Sequence, residues 1–160
     1  MSDMNVKLIV SAQKQTAKLF VNNQRLKTYV ISTAAKGLGC ESGSNKTPVG
    51  LFIVSEKFGA SALPGTVFKD RLPTGDRWSA DTSNPLHDTA DDLILTRILW
   101  LEGCESPNAN TKDRFIYIHG TNHEDLLGTP ASHGCIRMSN KEIIELFDLM
   151  PKGAHVEIRL

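Results

Sequence analysis

Short runs of β-branched and aromatic residues dominate the first third of the chain, and turn-forming residues separate them. These runs occupy residues 6–10, 17–21 and 26–31. The sequence Asn22-Asn23-Gln24 lies between the second and third runs, where asparagine favours the tight turn of a hairpin. This spacing predicts an antiparallel meander at the start of the fold.

Four later runs of the same kind are expected to form strands, at residues 51–54, 93–101, 115–118 and 156–158. One convincing helix is expected between the last two. Ser139 can cap it, with Glu142 completing a capping box, and Pro151 can end it. The apolar residues of that segment recur on one face: Ile143, Ile144, Phe147 and Met150. The patterns therefore predict a mainly β fold with one late α-helix.

Residues 59–92 form a long stretch that is rich in glycine, proline and polar residues and has little periodicity. Unstructured loops of more than about 12–15 residues are uncommon unless they are functional or contain short strands. We interpret this stretch as a lid or as the wall of a cleft.

Length and charge narrow the classes of function. The chain has 160 residues, with 18 basic and 18 acidic side chains and a formal net charge of zero. The length predicts a single domain over residues 1–160. A neutral chain has no long-range field to attract phosphate, so nucleic acid is not an expected partner. The oligomeric state is left open.

The amino terminus has neither the basic start nor the uninterrupted apolar core of an export signal. No segment approaches the roughly 20 apolar residues of a membrane span. We therefore expect no membrane partner and a cytoplasmic location, or a periplasmic one if the start is truncated.

Three cysteines, Cys40, Cys104 and Cys135, are too few for a disulfide framework, and an odd number leaves at least one thiol free. A lone cysteine is most often a small buried hydrophobe. Cys135 differs because it follows a glycine in the segment Ser132-His133-Gly134-Cys135-Ile136-Arg137-Met138, which indicates an accessible turn. We interpret Cys40 and Cys104 as non-catalytic.

Two histidines could produce the thiolate that cysteine chemistry requires. His119 is expected at the tip of the strand 115–118, where a rigid position suits a general base. His133 could instead orient the turn or polarise the site. A pair of structural histidines is the main alternative to a Cys–His nucleophile.

A zinc site is a further alternative, with Cys135, His133, His119 and His123 as possible ligands. Their spacing matches no closed zinc pattern, and the chain has no H-E-x-x-H helix. No metal is therefore expected.

His119-Gly120, followed by a polar linker and the segment 132–138, resembles the active-site signature of the L,D-transpeptidase catalytic domain, the YkuD-type family. The sequence Thr47-Pro48-Val49-Gly50-Leu51-Phe52 is similar to the upstream element of that family. The order of elements agrees over nearly the whole chain. Two features depart from some members: the spacer between His119 and Ser132 is slightly shorter, with twelve residues, and Arg137 stands where one branch has asparagine.

The resemblance implies a β-sandwich-like fold with mixed sheets and acyl transfer on peptidoglycan stem peptides. It makes Cys135 the nucleophile and His119 the general base, with the carbonyl of Gly120 orienting the imidazole. Backbone amides around Gly134 and Cys135 would form the oxyanion hole. His133 would have a supporting role, and no cofactor is implied.

Four side chains are candidates for substrate contact: Arg137, Ser132, Tyr117 and Trp78. Arg137 offers a planar fork for a carboxylate such as the one that ends a peptidoglycan stem, and a structural salt bridge is its alternative. Trp78 could form a platform for substrate, and anchoring of its own loop is the alternative.

The reaction implied by the resemblance begins with attack of the thiolate on the carbonyl of the third stem residue. Terminal D-alanine leaves, and a thioester remains on Cys135. Because no export signal is seen, we expect water as the acceptor, which gives a cytoplasmic L,D-carboxypeptidase that acts on a tetrapeptide or muropeptide fragment during peptidoglycan recycling. An L,D-transpeptidase that forms cross-links in the cell wall is the alternative. A non-catalytic muropeptide-binding or zinc-binding domain is the second alternative.

Overall fold

Ten strands form one mixed sheet, and an α-helix packs on it, in the computed structural model, which describes residues 4–160. The mainly β fold with one principal helix is thereby confirmed. In chain order the elements are β1 (Val6–Ser11), β2 (Thr16–Val21), β3 (Gln24–Val30), β4 (Gly50–Phe58), β5 (Thr66–Lys69), β6 (Leu72–Arg77), β7 (Ile94–Gly103), β8 (Tyr117–Gly120), β9 (Ile136–Met138), α1 (Asn140–Leu149) and β10 (His155–Arg159).

The first three strands form the antiparallel meander that the sequence predicts. Asn22 and Asn23 have φ angles of 52° and 67°, the left-handed pair of a tight hairpin turn, which asparagine tolerates better than most residues. The carboxyl-terminal strand β10 then pairs with β1 in parallel and with β4 in antiparallel orientation. The two ends of the described chain thus lie side by side in the sheet.

The sheet branches at β7. Leu99 of β7 pairs with Lys57 of β4 and with Ile118 of β8, so β4 and β8 lie on opposite edges of β7. The short strand β9 pairs in parallel with β8. The sequence did not predict β9, because three residues are too few to show a period. This branch brings the His119 strand beside the segment that carries Cys135.

Ser139 caps the amino terminus of helix α1, because its side chain accepts a hydrogen bond of 3.1 Å from the backbone N–H of Glu142. The predicted cap is therefore present. The helix buries Ile143, Leu146 and Phe147 and packs against β7 and β8. No helix among residues 4–160 is long and apolar enough to cross a bilayer.

The stretch 59–92 is not a structureless loop, because it contains the hairpin formed by β5 and β6. Every residue of β6 is exposed, so the strand has no buried face that could produce an alternating pattern. It also contains Pro73 and Gly75, which are typical of edge strands and bends. At the tip of this hairpin Asp70 and Arg71 have φ angles of 50° and 65°.

Candidate active site

The candidate site lies on one face of the paired strands β8 and β9. Ile118 pairs with Ile136, and both belong to the main hydrophobic core. Successive side chains of a strand point to opposite faces of the sheet. The side chains of Tyr117, His119 and Arg137 therefore share the face away from this core, and Cys135, just before β9, packs in the same small cluster as Tyr117.

His119 lies within β8 and not beyond its tip, which corrects the predicted strand 115–118. The ladder to β7 and β9 includes both His119 and Gly120, so the imidazole is carried by a backbone paired on two sides. Phe115, predicted to start the strand, instead precedes it with a φ of 56° and a side chain that is 53% exposed. The general-base candidate is thus held more rigidly than a residue at a strand tip.

The imidazole of His119 is oriented by the backbone of its neighbour. Its Nδ1 lies 2.6 Å from the carbonyl oxygen of Gly120. A carbonyl can only accept a hydrogen bond, so Nδ1 carries the proton and Nε2 has the free lone pair. Burial lowers the pKa of His119, against the opposing effects of the Gly120 carbonyl and Asp92. The ring is consequently neutral near pH 7, the state a general base requires.

Close packing accounts for a glycine at position 120. A Cβ atom there would lie 2.7 Å from the carbonyl oxygen of Leu95 and would also collide with the side chain of Asn140. Asn140 donates a hydrogen bond of 2.8 Å from Nδ2 to the carbonyl of Thr121, the next residue along. The carbonyl that orients His119 therefore belongs to a tightly packed backbone.

The thiol of Cys135 is hydrogen-bonded to backbone groups in the described chain. The N–H of Tyr117 donates to Sγ over 3.3 Å, and the thiol donates to the carbonyl of Phe115 over 3.4 Å. The hydrogen bonds of Sγ within residues 4–160 do not include His119 or His133. The imidazole and the thiol share a face of the sheet but are not bonded at rest.

The resting sulfur is protonated, which differs from the expectation of an ionised sulfur. Cys135 keeps part of its surface open to solvent, yet the protein atoms packed around it raise the pKa of the thiol to about 11 through desolvation. The N–H of Tyr117 acts in the opposite direction and is outweighed. The thiol and the imidazole are therefore both neutral at rest, so a thiolate forms only if the proton leaves Sγ.

The side chain of Ser132 stabilises the turn before Cys135 by hydrogen bonds to the backbone of that turn. Gly134 has a φ of 130°, which only glycine adopts without strain. Its N–H donates to the Ser132 hydroxyl over 3.2 Å, and that hydroxyl donates to the carbonyl of Cys135 over 2.6 Å. The Gly134 amide, one of the two expected oxyanion donors, is therefore already hydrogen-bonded within the described chain.

Thr47 is a supporting residue that sequence reasoning did not assign to the site. Its buried hydroxyl donates to the carbonyl of Gly134 and accepts from the N–H of Ala34, both over 2.9 Å. The Thr-Pro element thereby holds the cysteine turn from a distant part of the chain. Its similarity to the family's upstream element was the only signal available.

Asp92 is a second residue that the sequence did not single out, because it lies among other polar residues. Its Oδ1 lies 2.9 Å from Nη2 of Arg137, and its Oδ2 lies 3.2 Å from Nδ1 of His133. Burial alone would raise the pKa of this carboxyl, but His119, Arg137 and His133 together hold it below its ordinary value. Asp92 is therefore ionised and bridges two residues of the cysteine segment.

The structure buries Arg137, the residue proposed to bind a substrate carboxylate. Its side chain is only 3% exposed and forms the ion pair with Asp92. Its Nε and Nη1 are buried and have no hydrogen-bond partner among residues 4–160. Of the two roles that the sequence left open, this geometry favours the structural salt bridge.

The other three residues proposed for substrate contact are also buried. Ser132 uses its hydroxyl inside the turn, as described above. The hydroxyl of Tyr117 accepts a hydrogen bond of 3.0 Å from Nη1 of Arg71. Trp78 packs in a small cluster with Val67 and Leu95. Tyr117 nevertheless lies on the same face of the sheet as Cys135 and packs against it.

An aromatic surface lies beside the thiol. The rings of Trp100 and Phe115 stack with centroids 6.0 Å apart, and the Cζ atom of Arg71 lies 4.5 Å from the Trp100 ring centroid. Because Arg71 is at the tip of the β5–β6 hairpin, that tip borders the site. The stretch interpreted as a lid or cleft wall therefore touches the residues that contact Cys135.

The four residues considered for zinc are not brought together as ligands. His133 contacts Asp92, and Nε2 of His123 lies 3.0 Å from the carbonyl oxygen of Asp91. Within the part of the chain that the structure describes, no three His, Cys, Asp or Glu side chains are grouped as a metal site.

Comparison with known sequences places this site in a family. The family profile of the L,D-transpeptidase catalytic domain, YkuD, matches residues 5–158. The Bacillus subtilis protein YqjB, named for the same activity, is 48% identical over 48 residues, which are 30% of this chain and 27% of YqjB. The YkuD protein of Bacillus subtilis is 51% identical over 41 residues, which are 26% of this chain and 25% of that protein. The chain thus aligns with about a quarter of the length of these relatives.

Solved structures share the fold. An L,D-transpeptidase from Mycobacterium smegmatis aligns with a TM-score of 0.63 at 17% identity, covering 98% of this chain and 59% of that one. L,D-transpeptidase 3 from Mycobacterium tuberculosis, in complex with a faropenem-derived adduct, aligns with a TM-score of 0.61 at 16% identity, covering 98% and 61%. Since the family profile spans nearly all of its residues, this chain belongs to the L,D-transpeptidase catalytic domain (YkuD) family.

Proposed function

We propose that the chain catalyses acyl transfer at the L-to-D bond of peptidoglycan stem peptides through a thioester on Cys135. The observation that carries this proposal is the state of His119: a buried, neutral ring whose Nδ1 contacts the Gly120 carbonyl, which leaves Nε2 free. Tyr117 connects this base to the nucleophile, because it lies two residues before His119 in β8 and its N–H donates to Cys135 Sγ.

In the acylation step Sγ of Cys135 attacks the carbonyl carbon of the third stem residue, usually a diamino acid, while Nε2 of His119 takes the thiol proton. The carbonyl oxygen becomes an oxyanion, which the N–H of Cys135 stabilises. The bond from this carbon to the D-alanine nitrogen then breaks. The departing amine takes the proton from His119, and the thioester remains.

In the deacylation step we propose water as the acceptor. His119 takes a proton from the water as its oxygen attacks the thioester carbonyl, and the bond to sulfur breaks. His119 passes this proton to the sulfur, and the shortened stem leaves with a new carboxyl group that ionises in water; D-alanine has already left in the acylation step. Water needs no second peptide-binding site, whereas an amine acceptor from a second stem would give a cross-link.

The same thiol would react with β-lactams. The relative from Mycobacterium tuberculosis carries a faropenem-derived adduct. A carbapenem offers an acyl carbonyl of the same kind, so we propose that it adds once to this chain, at Cys135. Mapping the adduct to Cys40 or Cys104 would contradict the assignment.

A defined tetrapeptide stem tests the proposed function. The wild type should release D-alanine and tripeptide, and the Cys135→Ala variant should release neither. Cys104→Ala is a matched control because Cys104 is exposed and free. Cross-linked dimers without free D-alanine would show that the acceptor is an amine. Binding of the tetrapeptide without turnover by the wild type would favour a binding module.

A further inference from the structure

One carboxylate contacts both flanks of the nucleophile. His133 lies two residues before Cys135 and Arg137 two residues after it, and the two oxygens of Asp92 contact one each, at 3.2 Å and 2.9 Å. We propose that Asp92 is a positioning residue that clamps the turn bearing Cys135 through His133 and Arg137. This inference rests on the proposed function, because the clamp matters only where the thiol reacts.

The backbone on both sides of Asp92 is itself held in place. The side chain of Asn122 accepts a hydrogen bond of 3.0 Å from the N–H of Leu93 and donates one of 2.9 Å to the carbonyl of Asp91. Nε2 of His123 also lies 3.0 Å from the Asp91 carbonyl oxygen. Because Asn122 follows β8 closely, Asp92 is fixed relative to the strand that carries the general base.

Because Arg137 is buried, the stability of its charged side chain depends on the Asp92 carboxylate more than that of an exposed arginine would. Its guanidinium is buried, and Asp92 supplies the carboxylate of its ion pair, with a side chain that is itself only 28% exposed. Removing one partner of such a pair leaves an uncompensated charge out of water. Arg137 pairs with His119 across β8 and β9, so a shift of Arg137 disturbs the strand beside the base.

The charge of Asp92 also acts on the reacting groups. It raises the pKa of both His119 and Cys135, and Arg137 lowers both. The other charged or titratable groups around them are Arg114, His133 and Tyr117. Neutralising Asp92 therefore lowers the pKa of the imidazole and that of the thiol together.

The test compares Asp92→Asn with Asp88→Asn, a control that removes an exposed carboxylate four residues earlier. Two profiles are measured against pH. One is the rate of Cys135 alkylation by iodoacetamide, followed by mass spectrometry of the Cys135 peptide, and the other is kcat for tetrapeptide hydrolysis. Asp92→Asn should shift the alkylation midpoint and the acidic limb of kcat to lower pH and should reduce kcat about tenfold or more. Asp88→Asn should change neither.

Alkylation needs no peptidoglycan substrate, so it tests Asp92 even if the proposed function fails. A folded Asp92→Asn protein with the wild-type alkylation profile would overturn the inference. If that variant does not fold, Asp92→Glu decides, because it keeps the charge but not the length of the side chain. Asp92→Glu should keep the acidic limb of kcat at the wild-type pH but should have a lower kcat. A wild-type kcat would overturn the positioning role.

Discussion

The Nδ1 atom of His119 lies 2.6 Å from the carbonyl oxygen of the adjacent residue, Gly120. A peptide carbonyl orients an imidazole without supplying the full negative charge that a carboxylate would supply. The buried ring therefore stays neutral near pH 7, the state in which it can take the proton of Cys135 in the proposed mechanism.

Replacing His119 with glutamine should remove the general base while keeping a polar side chain of similar size. We expect kcat/KM for tetrapeptide hydrolysis to fall by about 10²–10⁴-fold, the usual contribution of a positioned base. His87→Gln is the control, because no hydrogen bond or ion pair within residues 4–160 joins the side chain of His87 to the site. A rate within a few fold of wild type in His119→Gln would show that another group takes the proton.

Replacing Gly120 with alanine should destabilise the fold, because the new Cβ would lie 2.7 Å from a backbone oxygen. We expect a loss of about 1–3 kcal/mol in the free energy of unfolding, measured by urea denaturation. Gly39→Ala is a matched control, since its added Cβ meets the movable side chains of Glu41 and Lys46. Equal effects of the two substitutions would contradict the packing described for Gly120.

Replacing Thr47 with valine should leave the carbonyl of Gly134 and the N–H of Ala34 without their partner. A buried polar group left unpaired costs about 1–3 kcal/mol, so the free energy of unfolding should fall by that order. The rate of tetrapeptide hydrolysis should fall as well, because the cysteine turn loosens. Thr47→Ser keeps the hydroxyl and should retain most of the free energy of unfolding and most of the rate. If Thr47→Ser lost as much of either as Thr47→Val, the hydroxyl would not be responsible.

The pH dependence follows from the direction of the two pKa shifts. Because the pKa of His119 is lowered, the midpoint of the acidic limb of kcat/KM should lie below pH 6.5, the ordinary pKa of histidine. Because the pKa of Cys135 is raised to about 11, kcat/KM should show no thiol midpoint near the ordinary cysteine value of 9.0. An acidic limb at or above 6.5 would contradict a buried neutral base.

Local signals in the sequence were sufficient for much of the fold. The Asn22-Asn23 turn and the Ser139 cap depend on neighbouring residues alone, and both are present. The hairpin within residues 59–92 was missed because its outer strand is wholly exposed. The parallel pairing of β1 with β10 joins the two ends of the described chain, and no local pattern encodes such a contact.

The sequence predicted those parts of the candidate site whose residues belong to a recognisable motif. The contact between His119 and the Gly120 carbonyl agrees with what the resemblance implied. Asp92 lies 43 residues before Cys135 in a polar stretch, so only the folded chain shows that it contacts the cysteine segment. The burial of Arg137 is likewise set by the register of β9 on β8, which the sequence does not display.

The most direct test of the thioester mechanism is mass spectrometry of the protein quenched during turnover of a tetrapeptide stem. The mass of the wild type should increase by that of the tripeptide acyl group, and proteolysis should locate the adduct on the peptide that contains Cys135. Release of D-alanine by Cys135→Ala at the wild-type rate, or an acyl group found on another residue, would contradict the mechanism.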